Sequence, residues 1–237
     1  MIDLSADLAE GAPGEDEIWP MINSANVACG GHVGDEQSMA GAVRLARRHN
    51  VRLGAHPSYP DRANFGRMSM PMAPPALRAT LIEQIKALRG IAGREGVPLR
   101  HVKPHGALYN DAHKDLVLAG VIIEAIREVD PQIAIVCPNV SEMAAAARAS
   151  GTPVIREAFA DRRYNPDGSL VTRSVAGSLL SVEEAAEQAE LLVRERVVIA
   201  RDGSRVPIAF DTICIHADME NAVERLHAIR GRLGDLE

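Results

Sequence analysis

Ile2-Asp3-Leu4-Ser5-Ala6-Asp7-Leu8 alternates apolar and polar residues along one short run. Successive side chains of an extended chain point to opposite faces, so Ile2, Leu4 and Ala6 share one face and Asp3, Ser5 and Asp7 the other. Near the opposite end Asp211-Thr-Ile-Cys-Ile-His216 repeats the pattern, with Ile213 and Ile215 opposed to Thr212, Cys214 and His216. A parallel sheet covered by helices on both sides should be apolar on both. One greasy and one polar face instead predict a sheet closed on itself, helices packed on the outside and polar side chains lining the interior.

Five further strand-like segments lie between these two, at 22–29, 51–56, 99–105, 133–137 and 154–159. Helical segments begin near Asp35, Pro75, Lys114, Val140, Val182 and Met219. Ser181 and Glu184 have the spacing of a capping box; Asp35 and Asp218 suit N-caps, and Gly151 a left-handed helix stop. Leu77, Leu81, Ile85, Leu88 and Ile91 form one apolar stripe, as do Ala222, Leu226, Ile229 and Leu233. Asp202-Gly203 between 197–200 and 206–208 marks a tight hairpin. Strand–helix alternation of this kind predicts an α/β fold: a seven-stranded parallel (β/α) barrel forming one domain over 1–237, with a small late hairpin. An open doubly wound sheet is the alternative.

The 237 residues carry 26 Lys+Arg against 32 Asp+Glu, and the pI near 5.8 argues against nucleic acid or an anionic membrane as partner. Three cysteines without a C-x-x-C pair exclude a disulfide framework and a cysteine zinc knot. The first eleven residues carry acids where a secretory signal would carry Lys or Arg, and no stretch approaches the ~20 apolar residues of a membrane span. The expectation is a cytoplasmic protein with reduced thiols.

Eight histidines are many for a chain with only 3% aromatics, and their placement is uneven. Asp7, His56, His105 and His216 fall at the C-terminal ends of predicted strands, the end where parallel α/β architectures build sites. Lys103 shares a face with His105, and His32, Asp161 and Arg162 fall in loops just beyond strand ends. Any one such histidine is more often a hydrogen-bonded structural residue than a ligand or base; the coincidence of several is harder to dismiss. His49, His113 and His227 read as surface or packing residues, and His101 stays open. Asp7, His56 and His105 suit a divalent metal that activates water. The metal-free alternative is acid–base catalysis by His and Asp, with Lys103 and Arg162 countering negative charge. The glycine-rich run 29–35 could hold an anion or simply turn tightly around a cavity, and no Walker A motif occurs. Cys29, Cys137 and Cys214, each placed at a strand end, read as packing residues. Arg62, Arg67, Asp161, Arg162, Arg163 and Arg173 read as a solvated loop face.

With these segments in place, the chain resembles the LamB/YcsF family, associated with the first of the three subunits (A, B and C) of prokaryotic ATP-dependent 5-oxoprolinase. The likeness rests on Ser5-Ala-Asp-Leu-Ala-Glu10-Gly11, Ala25-Asn26-Val-Ala-Cys29-Gly-Gly-His32-Val-Gly-Asp35, Gly54-Ala-His56-Pro-Ser-Tyr-Pro-Asp61 and Phe65-Gly-Arg67. It continues through His101-Val-Lys103-Pro-His105-Gly-Ala-Leu-Tyr109-Asn110, Phe159-Ala-Asp161-Arg162 and Ile213-Cys-Ile-His216. The chain departs from the family at Ser5 (commonly Asn), Ala9 (Gly), Gly31 (Phe) and Ala217 (often Gly); Gly31 is expected to open space beside His32.

The resemblance implies a barrel similar to polysaccharide-deacetylase-like folds, and hydrolysis of the lactam of 5-oxoproline to L-glutamate. ATP would be consumed by a complex with partner subunits B and C. Asp7, His32, Lys103, His105 and Asp161 become the candidate catalytic residues, with His105 or His32 as a base oriented by Asp7. Glu10, Asn26, His56, Arg162 and His216 become the candidate substrate-binding residues. Two alternatives stay open: a stand-alone metal-dependent deacetylase or amidohydrolase, and a non-catalytic lactam-binding subunit. A homo-oligomer is compatible with either.

Overall fold

A computed structural model describes residues 2–234. Seven strands, all parallel, close into a barrel: β1 (Asp3–Leu8), β2 (Ser24–Ala28), β3 (Arg52–His56), β4 (Leu99–Val102), β5 (Ala134–Cys137), β6 (Val154–Phe159) and, after an excursion, β9 (Thr212–His216), which pairs with both β6 and β1. The excursion is the expected hairpin, β7 (Val197–Ile199) against β8 (Arg205–Pro207), with Gly203 at φ +85° in its turn. The closed order excludes the open sheet.

The two-faced strands explain the closure. Leu4, Ala6, Leu8, Val27, Leu53, Ala55, Ile213 and Ile215 are buried on the outward face under helices. Ser5 and Thr212 face inward, hydrogen-bonded to each other at 3.0 Å. The helices follow their sequence signals: α2 (Glu36–His49) starts from an Asp35–Ser38 capping box, α6 (Glu142–Ser150) stops at Gly151 in the left-handed region, and α7 (Val182–Glu195) starts from the Ser181–Glu184 box. α3 (Pro74–Arg94) and α8 (Ala222–Gly234) bury the two predicted stripes. α5 (Leu116–Val129) is capped by Asp115. Among the described residues, no helix is long and apolar enough to cross a membrane.

Four expectations need correction. Asp218 is not an N-cap: its carboxylate is taken by Arg67 and Arg173, and α8 begins only after Asn221 at φ +58°. The strand expected over 99–105 ends at Val102, because Pro104 has no N–H to continue a ladder. The flanking N–H groups still reach the neighbouring edge, Lys103 to Ala55 O (2.9 Å) and His105 to Pro57 O (2.8 Å), before a short unexpected helix, α4 (Gly106–Ala112), turns the chain away. The β1–β2 connection also holds an unexpected short helix, α1 (Glu15–Ile18). Cys214 lies in mid-strand rather than at a strand end.

Strand register stacks an interior layer at one height: Asp7 opposite Asn26, Asn26 opposite Gly54, and Gly54 opposite His101. Gly54 is the only member without a side chain, and the His101 ring occupies the space; a Cβ there would stand 2.1 Å from His101 Nε2. Gly54→Ala therefore overpacks the barrel interior and should lower stability by about 1–3 kcal/mol, measured by urea unfolding. An unchanged midpoint would show that the layer can relax.

Candidate functional site

The C-terminal ends of the strands surround a cavity of about 1670 Å³ lined by Asp7, Glu10, His56, Lys103, His105, Arg162 and His216 among others. Beneath it lies Lys103. Its ammonium is 2.8 Å from Glu157 Oε1, 3.0 Å from Asp7 Oδ1 and 3.0 Å from Cys214 Sγ. Asn26 donates to Asp7 Oδ1 (2.9 Å), His101 Nε2 meets Asn26 Oδ1 (2.9 Å), and Tyr109 OH donates to Glu157 Oε2 (2.8 Å). Every member of this chain of contacts is buried. Burial opposes ionisation of Asp7, but His56 and Lys103 outweigh it and hold its carboxyl well below the usual range. Burial likewise opposes the Lys103 ammonium, and Asp7 and Glu157 keep it charged. Glu157 is not among the sequence-based candidates; its position on the polar, inward side of β6 is the signal that marks it.

A second cluster stands beside Asp7. His56 Nδ1 lies 2.7 Å from Lys103 O, and His105 Nε2 lies 2.9 Å from Phe65 O. A carbonyl accepts only, so both of these nitrogens carry the proton. The other two, His56 Nε2 and His105 Nδ1, face each other at 3.0 Å, with Glu10 Oε1 3.4 Å from His105 Nδ1 and 3.8 Å from His56 Nε2. Two facing lone pairs and a carboxylate call for a positive charge between them: a proton on one ring or a bound cation. Carbonyl-oriented imidazoles are also how metal-ligating histidines are held. Glu10, His56 and His105 thus fit a divalent ion. Of the expected trio Asp7, His56 and His105, Glu10 takes the place of Asp7, whose oxygens are committed to Lys103 and Asn26.

His32 stacks on His105 with centroids 3.7 Å apart and donates or accepts through Nε2 at 3.0 Å from Glu10 Oε1. It does not line the cavity. Burial, then the charge of His56, pushes His32 down to about 3 and His105 to about 2, so both are neutral and weakly basic. Asp7 contacts neither; it lies 3.3 Å from His56 Nε2. The loop pressing on these rings carries Gly66 at φ +64°, where a Cβ would come within 2.9 Å of His32 Cβ. Gly31 does not open space beside His32 as expected: a Cβ there would meet Ser58 Oγ and Gln84 Oε1 at 2.4 Å. Nor is an anion needed to explain the glycine-rich turn, since Arg62 Nη1 donates to Gly30 O and Gly34 O.

Glu10 is itself aimed by Glu15, whose carboxylate accepts the N–H groups of Ala9, Glu10 and Ala12. This tie bends Ala9 to φ +61°, a conformation that glycine adopts without penalty. Nothing in the periodicity of the chain marks Glu15.

On β9, His216 is the register partner of Asp7. Asp161 accepts from the His216 backbone N–H (2.7 Å) and lies 3.0 Å from its Nδ1 through both oxygens. Burial would raise the Asp161 carboxyl, yet the His216 contacts take it down to about 2. Asp161 is fully buried and does not line the cavity; His216, stacked on Phe159, does. Its Nε2 has no hydrogen-bond partner among the described residues. Asn26 is likewise behind the surface, and Arg162 is on it. Arg67 and Arg173, expected as solvated, flank Asp218 at the same rim.

The LamB/YcsF family matches residues 2–236. A lactam utilization protein from Thermus thermophilus is 41% identical, with 99% of this chain and 96% of that chain covered and a TM-score of 0.93. A candidate cellobiose-phosphate cleavage protein from Enterococcus faecalis is 12% identical over 99% of this chain and 94% of its own, at TM-score 0.56, a likeness of fold alone.

His101 gives the interior a pH signature. Burial, then Arg52, lowers it to about 3, whereas an unfolded histidine titrates near ~6.5. Between those values the unfolded chain holds more protons, so stability is intact above ~6.5 and falls as the pH drops toward 3. At pH 5 the loss from His101 alone should be about 2 kcal/mol. Denaturant unfolding of wild type and His101→Gln at pH 7 and pH 5 isolates it, and an equal acid loss in both proteins would refute the assignment.

Proposed function

Because the chain belongs to the LamB/YcsF family, we propose that it hydrolyses a lactam, 5-oxoproline, to L-glutamate, within a complex whose partner subunits B and C couple the reaction to ATP. The description of the Thermus thermophilus relative supports the lactam. The observation that carries the hydrolytic reading is the Asp161–His216 pair. Its histidine has one nitrogen tied down and the other open to the cavity that Lys103 underlies. The lack of a Walker A motif in the chain supports the assignment of ATP chemistry to partners.

An unstrained five-membered lactam is a poor electrophile, and phosphorylation of its oxygen weakens the amide resonance. A water oxygen then bonds to the carbonyl carbon while His216 Nε2 takes a proton from that water. The carbon–nitrogen bond breaks, the ring nitrogen leaves with the proton that His216 returns, and a second water cleaves the resulting acyl phosphate to release inorganic phosphate and the free carboxylate of glutamate. Asp161 holds the tautomer and stabilises the imidazolium that forms in between. Lys103 sets positive charge beneath the oxygen on which negative charge develops. His216 takes over the base role that the sequence assigned to His105 or His32, because both of those rings are turned inward on the Glu10 cluster. A divalent ion on Glu10, His56 and His105 would supply a Lewis acid for a carbonyl or phosphoryl oxygen.

That same cluster favours one second reading, a metal-dependent amidohydrolase acting alone. It requires stoichiometric metal by elemental analysis and lactam cleavage without ATP or partners, abolished by a chelator.

For the main reading, the reconstituted three-subunit mixture should release glutamate from 5-oxoproline only with ATP. His216→Gln should slow it by about 10²–10⁴-fold, with thermal unfolding of the variant confirming an intact fold. Lys103→Met should abolish it. Rates within threefold of wild type for His216→Gln would remove His216 from the chemistry.

A further inference from the structure

The cavity rim carries more positive charge than its own carboxylates neutralise. Arg67, Arg162 and Arg173 all line it, from the loops that follow β3 and β6. Arg67 and Arg173 share a single carboxylate, Asp218; the Arg173 Nη1–Asp218 Oδ2 distance is 3.1 Å. Arg162 is 7% exposed and forms no ion pair with any described residue. Its Nη2 donates to Val171 O at 2.8 Å, and its buried Nε has no acceptor. The neighbouring carboxylate of Asp161 is turned onto His216 through both oxygens.

A guanidinium taken out of water needs an anion and acceptors to offset the loss of hydration. Burial, and then the charge of Arg173, already lowers the Arg162 pKa. Guanidinium forks match planar oxyanions with paired hydrogen bonds. Elsewhere in the cavity lining the balance reverses, for Asp7, Glu10 and Glu157 outnumber Lys103. A ligand in this cavity would meet acidic, cation-seeking groups together with arginines that hold fewer carboxylates than charges.

We propose that Arg162 and Arg173 form an oxyanion-binding corner that takes the carboxylate of the substrate, restricting the site to acidic lactams. This rests on the lactam reading above for the ring, whereas the corner itself rests on the unneutralised arginines. The same chemistry would accept a phosphoryl group, so the test separates the two sources.

Calorimetric titration of the full chain with 5-oxoproline, with 2-pyrrolidinone (the same ring without the carboxylate), with acetate and with inorganic phosphate is the experiment. The wild type should bind 5-oxoproline at least 30-fold more tightly than 2-pyrrolidinone. Arg162→Gln and Arg173→Gln should each weaken 5-oxoproline by 10- to 100-fold and leave 2-pyrrolidinone within threefold. Asp218→Asn, which releases the two arginines it holds, should tighten 5-oxoproline; a purely structural role for the arginines predicts no such gain. Arg173, whose side chain is 34% exposed, keeps the test valid if the Arg162 variant unfolds.

Equal affinity for the two lactams, or 5-oxoproline binding unchanged in Arg173→Gln, overturns the corner. Arginine-dependent binding of phosphate, with 5-oxoproline unaffected by the substitutions, reassigns the corner to a phosphoryl group and overturns the carboxylate proposal. If neither lactam binds the wild type but acetate does so in an Arg173-dependent way, the lactam reading fails and the corner stands. Binding of none of these anions removes the corner itself.

Discussion

One ammonium held between two buried carboxylates organises the interior of this barrel. Lys103 comes from the end of β4, Asp7 from β1 and Glu157 from β6, so their attraction spans the barrel rather than running along its wall. Removing one partner of such a buried group typically costs about 3–5 kcal/mol, because the others are left charged and unpaired. Two acids facing one base also leave a surplus of negative charge. Asn26 and Tyr109 donate to it, and burial alone would lower His56, yet Asp7 raises it instead. The imidazole cluster therefore takes its electrostatics from the ammonium's partners.

The site is built in two depths. Residues that meet the cavity, such as Glu10, His56, His105 and His216, are each aimed by a second group: His32 and Glu15 for Glu10, the backbone carbonyls of Lys103 and Phe65 for His56 and His105, Asp161 for His216. Such backing fixes ring tautomers and keeps side chains within narrow limits of position. It also keeps the two proton-handling histidine groups distinct although Asp7 stands between them, one turned toward a cation position and one toward the open mouth.

Much of this was legible in the chain. Alternation in 2–8 and 211–216 carried the closure of the sheet, because a two-faced strand satisfies only one architecture with helices outside. Strand ends pointed to Asp7, His56 and His216 for the same reason. What was not legible depended on partners distant in sequence. Whether Asp7 or Glu10 completes the imidazole pair turns on which carboxylate Lys103 captures, and periodicity does not report that. Asp218 looked like a cap because its spacing from the helix was right; two arginines 45 and 151 residues away claim it instead. Gly31 looked like open space because a missing side chain says nothing about what fills the gap, and Ser58 and Gln84 do.

The choice of lysine inside the barrel stands out against the rest of the chain, where the 26 basic residues include only three lysines, Lys86, Lys103 and Lys114. A compact ammonium can aim three donors at Glu157, Asp7 and Cys214 at once, whereas a flat guanidinium would have to splay the strands. Lys86 and Lys114 are exposed. Acylating reagents in solution thus meet two exposed side-chain amines and one that is 3% exposed at the cavity, protonated and engaged through all its donors. Labelling of the third lags behind the other two and quickens when its ion pairs loosen, so its rate reports on the barrel interior while theirs report on the surface.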